Sequence, residues 1–235
     1  MNTSRFAVMA TIGCLAVSPA YTNELAAMQG RADTLIAIDV LLEPDQTMIG
    51  KARAINARLR ENYPAGYALD ALHAPHITLL QRFVRAKDLD AVTVAVGKVF
   101  AAERPTDMQL KATGLQSTIW AGVALTSVVV DRTPELVRLH QKVVDAVAPF
   151  SLSGGTAAAF VGGDVNAETV AYVETFVPKS SGANYVPHVT VGVASEAFVK
   201  GLKAEPFETF TFKPAGVAVY QLGNFGTAAK KLWQK

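Results

Sequence analysis

Two histidines stand in near-identical settings: Pro75-His76-Ile77-Thr78 recurs 112 positions later as Pro187-His188-Val189-Thr190, in a chain with only four histidines. Side chains of an extended strand alternate faces, so the histidine and threonine of each His-x-Thr project together while Ile77 and Val189 turn the other way, towards a core. An imidazole has an unperturbed pKa of about 6.5, so one ring can take a proton while a second gives one. Two threonine hydroxyls can donate to phosphate oxygens as charge builds there. Facing each other across a groove, these four side chains suit the opening of a phosphate ester, such as a cyclic phosphodiester on ribose. Water would attack phosphorus and the departing sugar oxygen would be protonated; neither a metal nor another cofactor is demanded.

The elements that must position these residues follow from hydrophobic periodicity. Thr34 to Leu42 (TLIAIDVLL) is rich in aliphatic residues and predicts a buried strand. Pro44 and Asp45 open a helix in which Met48, Ala52, Ile55 and Leu59 recur at helical spacing until Tyr63-Pro64-Ala65-Gly66. The first His-x-Thr strand runs from His76 to Val84. Asp88 is expected to cap a helix through Val92, Val96 and Phe100, closed by Pro105. Strands follow at Met108 to Leu115 and Thr118 to Val130, broken around Gly114 and Gln116-Ser117. Thr133-Pro134 opens a helix with an apolar stripe at Leu136, Leu139, Val143 and Val147. After an inserted segment, Ser151 to Asn184, with a helix at Asn166 to Val177, come the second His-x-Thr strand (Tyr185 to Ala194), a helix from Ser195 to Ala204, and strands at Phe207 to Phe212 and Gly216 to Leu222. Each half therefore reads strand, helix, His-x-Thr strand, helix, strand, which argues for a duplicated architecture.

At 235 residues, 50% of them hydrophobic, the chain can bury a large core. The 22 Lys and Arg against 20 Asp and Glu give +2, with no run of like charge. No strong footprint for long nucleic acid is present, which favours a small or single-stranded ligand. Residues 1–20 read as a secretory signal peptide, with Arg5 ahead of an apolar run and Ser18-Pro19-Ala20 as a cleavage site; residues 21–33 form a polar segment. The apolar run is too short for a transmembrane anchor. A retained segment and a lipid anchor at Cys14 are the alternatives, the latter weakened by Thr11 where a large aliphatic is expected. Cys14 is the sole cysteine, so a cleaved chain would carry no disulfide and no thiol catalyst. The expected location is exported, periplasmic or secreted, if the signal is removed; the alternative is cytoplasmic. The expected oligomeric state is monomer.

The tetrads His76-Ile77-Thr78-Leu79 and His188-Val189-Thr190-Val191, set in a duplicated α+β chain, resemble the two-histidine (2H) phosphoesterases, and most of all the 2'-5' RNA ligase and cyclic phosphodiesterase group. The resemblance extends from about Thr34 to Trp233 and includes Tyr220-Gln221-Leu222-Gly223, similar to that group's final core strand. It implies an α+β, bilobal fold over residues 34–235, two antiparallel sheets with flanking helices around a V-shaped central cleft, and lobe halves near 34–117 and 118–235 with strands free to exchange between them. It also implies metal-independent hydrolysis or transfer at 2',3'-cyclic or 2'-5' phosphodiester bonds of a small nucleotide or RNA end, His76 and His188 as acid and base, and Thr78 and Thr190 gripping the phosphate. The insertion before His188 and the signal segment are unlike that group, and stand against an intracellular RNA-processing role. A non-catalytic nucleotide- or phosphate-binding module of the same fold is the alternative.

Other residues carry weaker signals. Arg82 shares strand parity with His76 and Thr78 and would reach a substrate if the strand stays regular. Gly192 has the same parity on the second strand, where a missing side chain leaves room for a ligand. Tyr185 is a candidate substrate contact, and Tyr220, Phe225 and Trp120 are large rings able to stack a base. His73, His140 and His188 are a poor zinc set, because His140 falls on a helix and no Glu follows His73. Ser153-Gly154-Gly155-Thr156 and Gly162-Gly163-Asp164 lack the Gly-Lys-Ser/Thr ending of a triphosphate loop and predict a flexible connection.

Overall fold

In the computed structural model, which describes residues 33–120 and 122–235, β1 (Leu35–Pro44) buries six consecutive residues, Ala37 to Leu42. Such a run needs cover on both faces. The expected signal peptide, Cys14 and nearly all of the polar segment 21–33 lie outside the described residues.

Two four-stranded antiparallel sheets carry the fold. The first has the order β2 (Ile77–Arg85), β1, β7 (Pro214–Leu222), β8 (Ala228–Gln234); the second has β5 (His188–Ala194), β4 (Val123–Val130), β3 (Leu110–Trp120), β6 (Phe210–Phe212). Strands near both ends of the described chain build the first sheet, and the middle of the chain builds the second. β8 goes beyond the sequence reading because AAKKLWQ, a partly exposed edge strand, lacks a clean apolar alternation. The break expected near Gly114 is also displaced. β3 runs on to Trp120, which pairs with Val123 across a tight hairpin where Gly122 takes φ +79°. Gly114 instead marks a register shift within β3.

Helices cross between the halves. α1 (Gln46–Asn62) starts where the Asp45 carboxylate accepts the Thr47 and Met48 N–H groups at 3.0 and 3.3 Å, a cap worth ~1 kcal/mol. It packs chiefly on β5, the second His-x-Thr strand. α2 (Leu89–Glu103) and α3 (Pro134–Val147) pack on each other, and α3 also covers β2, the first His-x-Thr strand. One buried apolar cluster spans both sheets, from Ile38 and Val40 of β1 to Val128 of β4 and Val189 of β5.

The insertion is a packed element rather than the flexible connection its glycines predict. α4 (Ala167–Ser180), capped by Asn166, lies against β2, and Phe160 meets Phe83 edge-on at 5.9 Å. Gly155 crosses so close over Phe83 that a Cβ there would fall within 2.4 Å of its ring, which is what the glycine serves. The last helix, α5 (Glu196–Ala204), lies on β3 and β4.

Candidate active site

The two tetrads repeat in three dimensions down to an irregularity that the sequence does not mark. On β2, Leu41 pairs with Thr78 and Val40 with Leu80, so Leu79 is an extra, bulged residue; on β5, Ser127 pairs with Thr190 and Thr126 with Gly192, so Val191 is its counterpart. A bulge inverts the side-chain parity beyond it. Before the bulge the expected alternation holds: Ile77 and Val189 are fully buried in the core, and His76, Thr78, His188 and Thr190 line one cavity of about 380 Å³ between the sheets. That volume falls within the roughly 300–1,000 Å³ typical of small-molecule sites.

Both imidazoles are held the same way. His76 Nδ1–H donates to the Ala74 carbonyl and His188 Nδ1–H to the Val186 carbonyl, each at 2.8 Å and each two residues back. A carbonyl only accepts, so Nδ1 carries a proton in both rings and Nε2 is left for chemistry. Burial lowers both pKa values, since desolvation disfavours the charged ring; for His188 the positive charge of His76 lowers it further.

The surroundings of the two rings differ. Asp39, fully buried in β1, receives the Thr78 hydroxyl at 2.8 Å and the Gln81 side-chain N–H at 2.9 Å, and the same oxygen lies 3.7 Å from His76 Nε2. Burial pushes this carboxyl up to about 7 against the pull of its two donors. Register assigns Leu125 to the corresponding place opposite β5, and Thr190 has only a 3.3 Å contact with Ser127 Oγ, in which either hydroxyl can be the donor. The Thr78 hydroxyl hydrogen is therefore committed to Asp39, whereas that of Thr190 is free to turn. Asp39 was missed as a site residue, although it is the one charge in TLIAIDVLL.

Bulging leaves backbone carbonyls to be satisfied, and buried side chains satisfy them. The Thr78 carbonyl accepts Tyr185 Oη–H at 3.1 Å and the Leu79 carbonyl accepts His140 Nδ1–H at 2.7 Å. The Tyr185 and His140 rings stack with centroids 3.8 Å apart and planes 6° from parallel. In the other half, Asn56 Nδ2 donates to the Val191 carbonyl at 2.9 Å and to the Tyr67 carbonyl at 3.0 Å. Tyr185, expected as a substrate contact, lines the cavity and also serves as a buried strut across the sheets. His140, which the sequence places on a helix, sits behind the site, stacked on Tyr185. The signal for it was a polar residue adjoining the Leu136–Leu139–Val143 stripe of α3.

Two further expectations fail through the inverted parity. Arg82 does not line the cavity; its guanidinium donates to the Glu174 carbonyl on α4 at 3.1 Å, and Gln81 takes the inward position. Gly192 makes room for protein rather than ligand, since a Cβ there would come within 2.8 Å of Asn56 Nδ2 and 3.0 Å of Leu59 Cδ1. His73 lies on the cavity wall, stacked on Tyr67 and bonded to Asp70 at 2.9 Å. Of the large rings, Trp120 and half-exposed Phe225 border the cavity, while the Tyr220 hydroxyl is bound to Glu43 away from it. Among the described residues no group of three or more His, Cys, Asp or Glu side chains clusters as a metal site requires. Nor is any helix there long and apolar enough to cross a membrane.

Comparison with known proteins bears on the fold and the family. The protein TT0787 of Thermus thermophilus superposes with a TM-score of 0.52 at 12% identity, covering 85% of this chain and 96% of that one, and so shares the fold. More distant likenesses are the MHV ns2 PDE domain (TM-score 0.47, 12% identity, 80% and 99% covered) and LigT of E. coli complexed with 3'-AMP (0.46, 15%, 86% and 96%). No curated protein matches. The family model of the 2'-5' RNA ligase superfamily matches residues 44–221, a span that runs from the end of β1 through both tetrads to β7, and the chain belongs to that superfamily.

Proposed function

We propose that the protein is a phosphodiesterase acting on 2',3'-cyclic phosphate or 2'-5' phosphodiester bonds of a small nucleotide or RNA end, with His76 and His188 as its acid and base. One observation carries the reading: two imidazoles on one cavity, each with Nδ1 tied to the carbonyl two residues back and Nε2 left over. In hydrolysis of a cyclic phosphate, one Nε2 takes a proton from the attacking water as its oxygen bonds to phosphorus. The other Nε2–H protonates the sugar oxygen as its bond to phosphorus breaks, giving a phosphomonoester and a hydroxyl. Hydroxyl donation from Thr190 fits the growing charge on the non-bridging oxygens. The superfamily's name supports the 2'-5' linkage, and the cavity volume supports a mononucleotide or a chain end rather than a long duplex.

The test is a panel of nucleoside 2',3'-cyclic phosphates, 2'-5' dinucleotides and ADP-ribose cyclic phosphate, incubated with purified protein and a chelator, with product isomers separated by chromatography. At least one member should turn over. His76→Ala and His188→Ala should each slow it by roughly 10²–10⁴-fold, the usual share of general acid or base catalysis, with circular dichroism unchanged. Retained turnover in either variant would sink the two-histidine reading, and binding without turnover of any member would make the protein a binding module.

A further inference from the structure

We propose that Asp39 decides which histidine is the acid: it favours the imidazolium of His76 over that of His188, so that His76 protonates the leaving oxygen and His188 is the base. The inference deepens the phosphodiesterase reading and rests on it for the catalytic roles, though not for the protonation states.

Geometry carries the argument. His76 Nδ1 faces a carbonyl and must hold a proton. Its other nitrogen lies 3.7 Å from the Asp39 carboxylate oxygen, where a bare lone pair would be repelled and an N–H attracted. With Asp39 ionised, the doubly protonated ring, which is the acid form, has a counter-ion here. His188 has the same Nδ1 arrangement, but the position that Asp39 occupies in the first half is taken by Leu125 in the second. Its Nε2 keeps a lone pair, and the charge of His76 reinforces that state. Asp39 is buried and faces no competing cation: among the described residues His76 is the one cation-forming side chain within 4 Å of it. The other groups around it are Thr78 and Gln81 of β2, which donate to it, Tyr220, its neighbour across β7, and the phenols of Tyr172 on α4 and of Tyr185, both of which feel its charge. Glu43, further along β1, also favours the charged form of His76.

Asp39 lies beneath Thr78 and reaches the reaction only through His76, so it is a positioning residue. Its consequence is a direction for the reaction. His188 Nε2 accepts the proton of the attacking water, the bond from water oxygen to phosphorus forms, the bond from phosphorus to the sugar oxygen breaks, and His76 Nε2–H supplies that oxygen's proton.

The experiment begins with nitrogen-15 NMR of the histidine rings in the full chain. As pH falls from 8, His76 should gain its second ring proton before His188 does; the reverse order, or a common midpoint, would overturn the proposal without recourse to any variant. In Asp39→Asn the titration midpoint of His76 should fall by about one pH unit or more while that of His188 does not fall, and equal movement of both would also overturn it. A kinetic arm uses a nucleotide diester with a 4-nitrophenyl leaving group, which needs no acid. There His76→Gln and Asp39→Asn should recover at least tenfold of their loss and His188→Gln should not; recovery by His188→Gln instead would assign the roles the other way. If the wild-type protein turns over no substrate, the phosphodiesterase reading fails while the NMR result still decides what Asp39 does.

Discussion

The two His-x-Thr sites are copies in backbone and unlike in electrostatics. Each has a buried proline before its histidine, a ring bonded to the carbonyl two residues back, a buried aliphatic residue, a half-buried threonine and a bulge one residue later. Around that shared frame the first site has a buried carboxylate and an amide, Asp39 and Gln81, where the second has Leu125 and Val193. Duplication thus supplies the pair of imidazoles, and the change of two neighbours supplies a difference between them. A symmetric pair would have to break its symmetry on binding substrate; this pair is already polarised.

The largest effect that separates the sites should come from the threonines. Thr190→Val removes a hydroxyl free to stabilise a charged phosphate, and loss of one such donor typically costs 10²–10³ in turnover. Thr78→Val removes a donor already given to Asp39, so kcat should fall by less than about tenfold. The same change leaves a buried carboxylate one partner short and should destabilise the fold by about 1–3 kcal/mol. Steady-state kinetics and thermal melts of the two variants check this together. Equal kcat losses with equal melting temperatures would mean that Thr78 turns to the phosphate and the sites are alike after all.

A smaller effect should appear in acid. His188 has a folded-state pKa below its unfolded value, so it contributes stability that is present above about 6.5 and is lost as pH falls through the lower, folded value. His76 is lowered by burial as well, but its charged form has Asp39 beside it as a counter-ion. His188→Gln should therefore recover more of the stability that the wild type loses between pH 7 and 5 than His76→Gln does. The expected advantage is ~1 kcal/mol or less, or about 2–4 °C of melting temperature for a chain of this size. Melts over that pH range decide it, and identical curves for the two variants would remove Asp39's influence on His76.

The sequence made the paired chemistry legible because alternation over three residues is robust: His76 and Thr78 share a face with Ile77 opposed, and the same holds at His188 to Thr190. It made the order of elements legible because helix and strand periods differ. What it hid depends on contacts between distant segments. Nothing in Leu79-Leu80 or Val191-Gly192 announces an extra residue, because both members of each pair are apolar or small and both are buried. The role of Asn56 was masked because the apolar stripe could be drawn through Ile55, whereas the buried line of α1 runs Met48, Ala52, Asn56, Leu59. That α1 serves β5 and α3 serves β2 is a matter of packing, which local periodicity does not encode.

Arg82 offers the finest test of that lesson, because its expected role and its observed one differ only through the bulge. A regular β2 would carry its guanidinium into the cavity with His76 and Thr78, and removing a phosphate contact of that kind would raise KM by tenfold or more, a charged hydrogen bond being worth about 1.5–3 kcal/mol. With Leu79 bulged, Arg82 instead secures α4 through the Glu174 carbonyl and Gln81 faces inward. Arg82→Ala should then leave kcat and KM within about twofold of wild type, and its cost should be the single partly exposed bond to α4, roughly 0.5–1.5 kcal/mol of stability. A tenfold rise in KM with unchanged melting would return Arg82 to the cavity. It would also mean that β2 has no bulge in solution, and the match between the two tetrads would then stop at threonine.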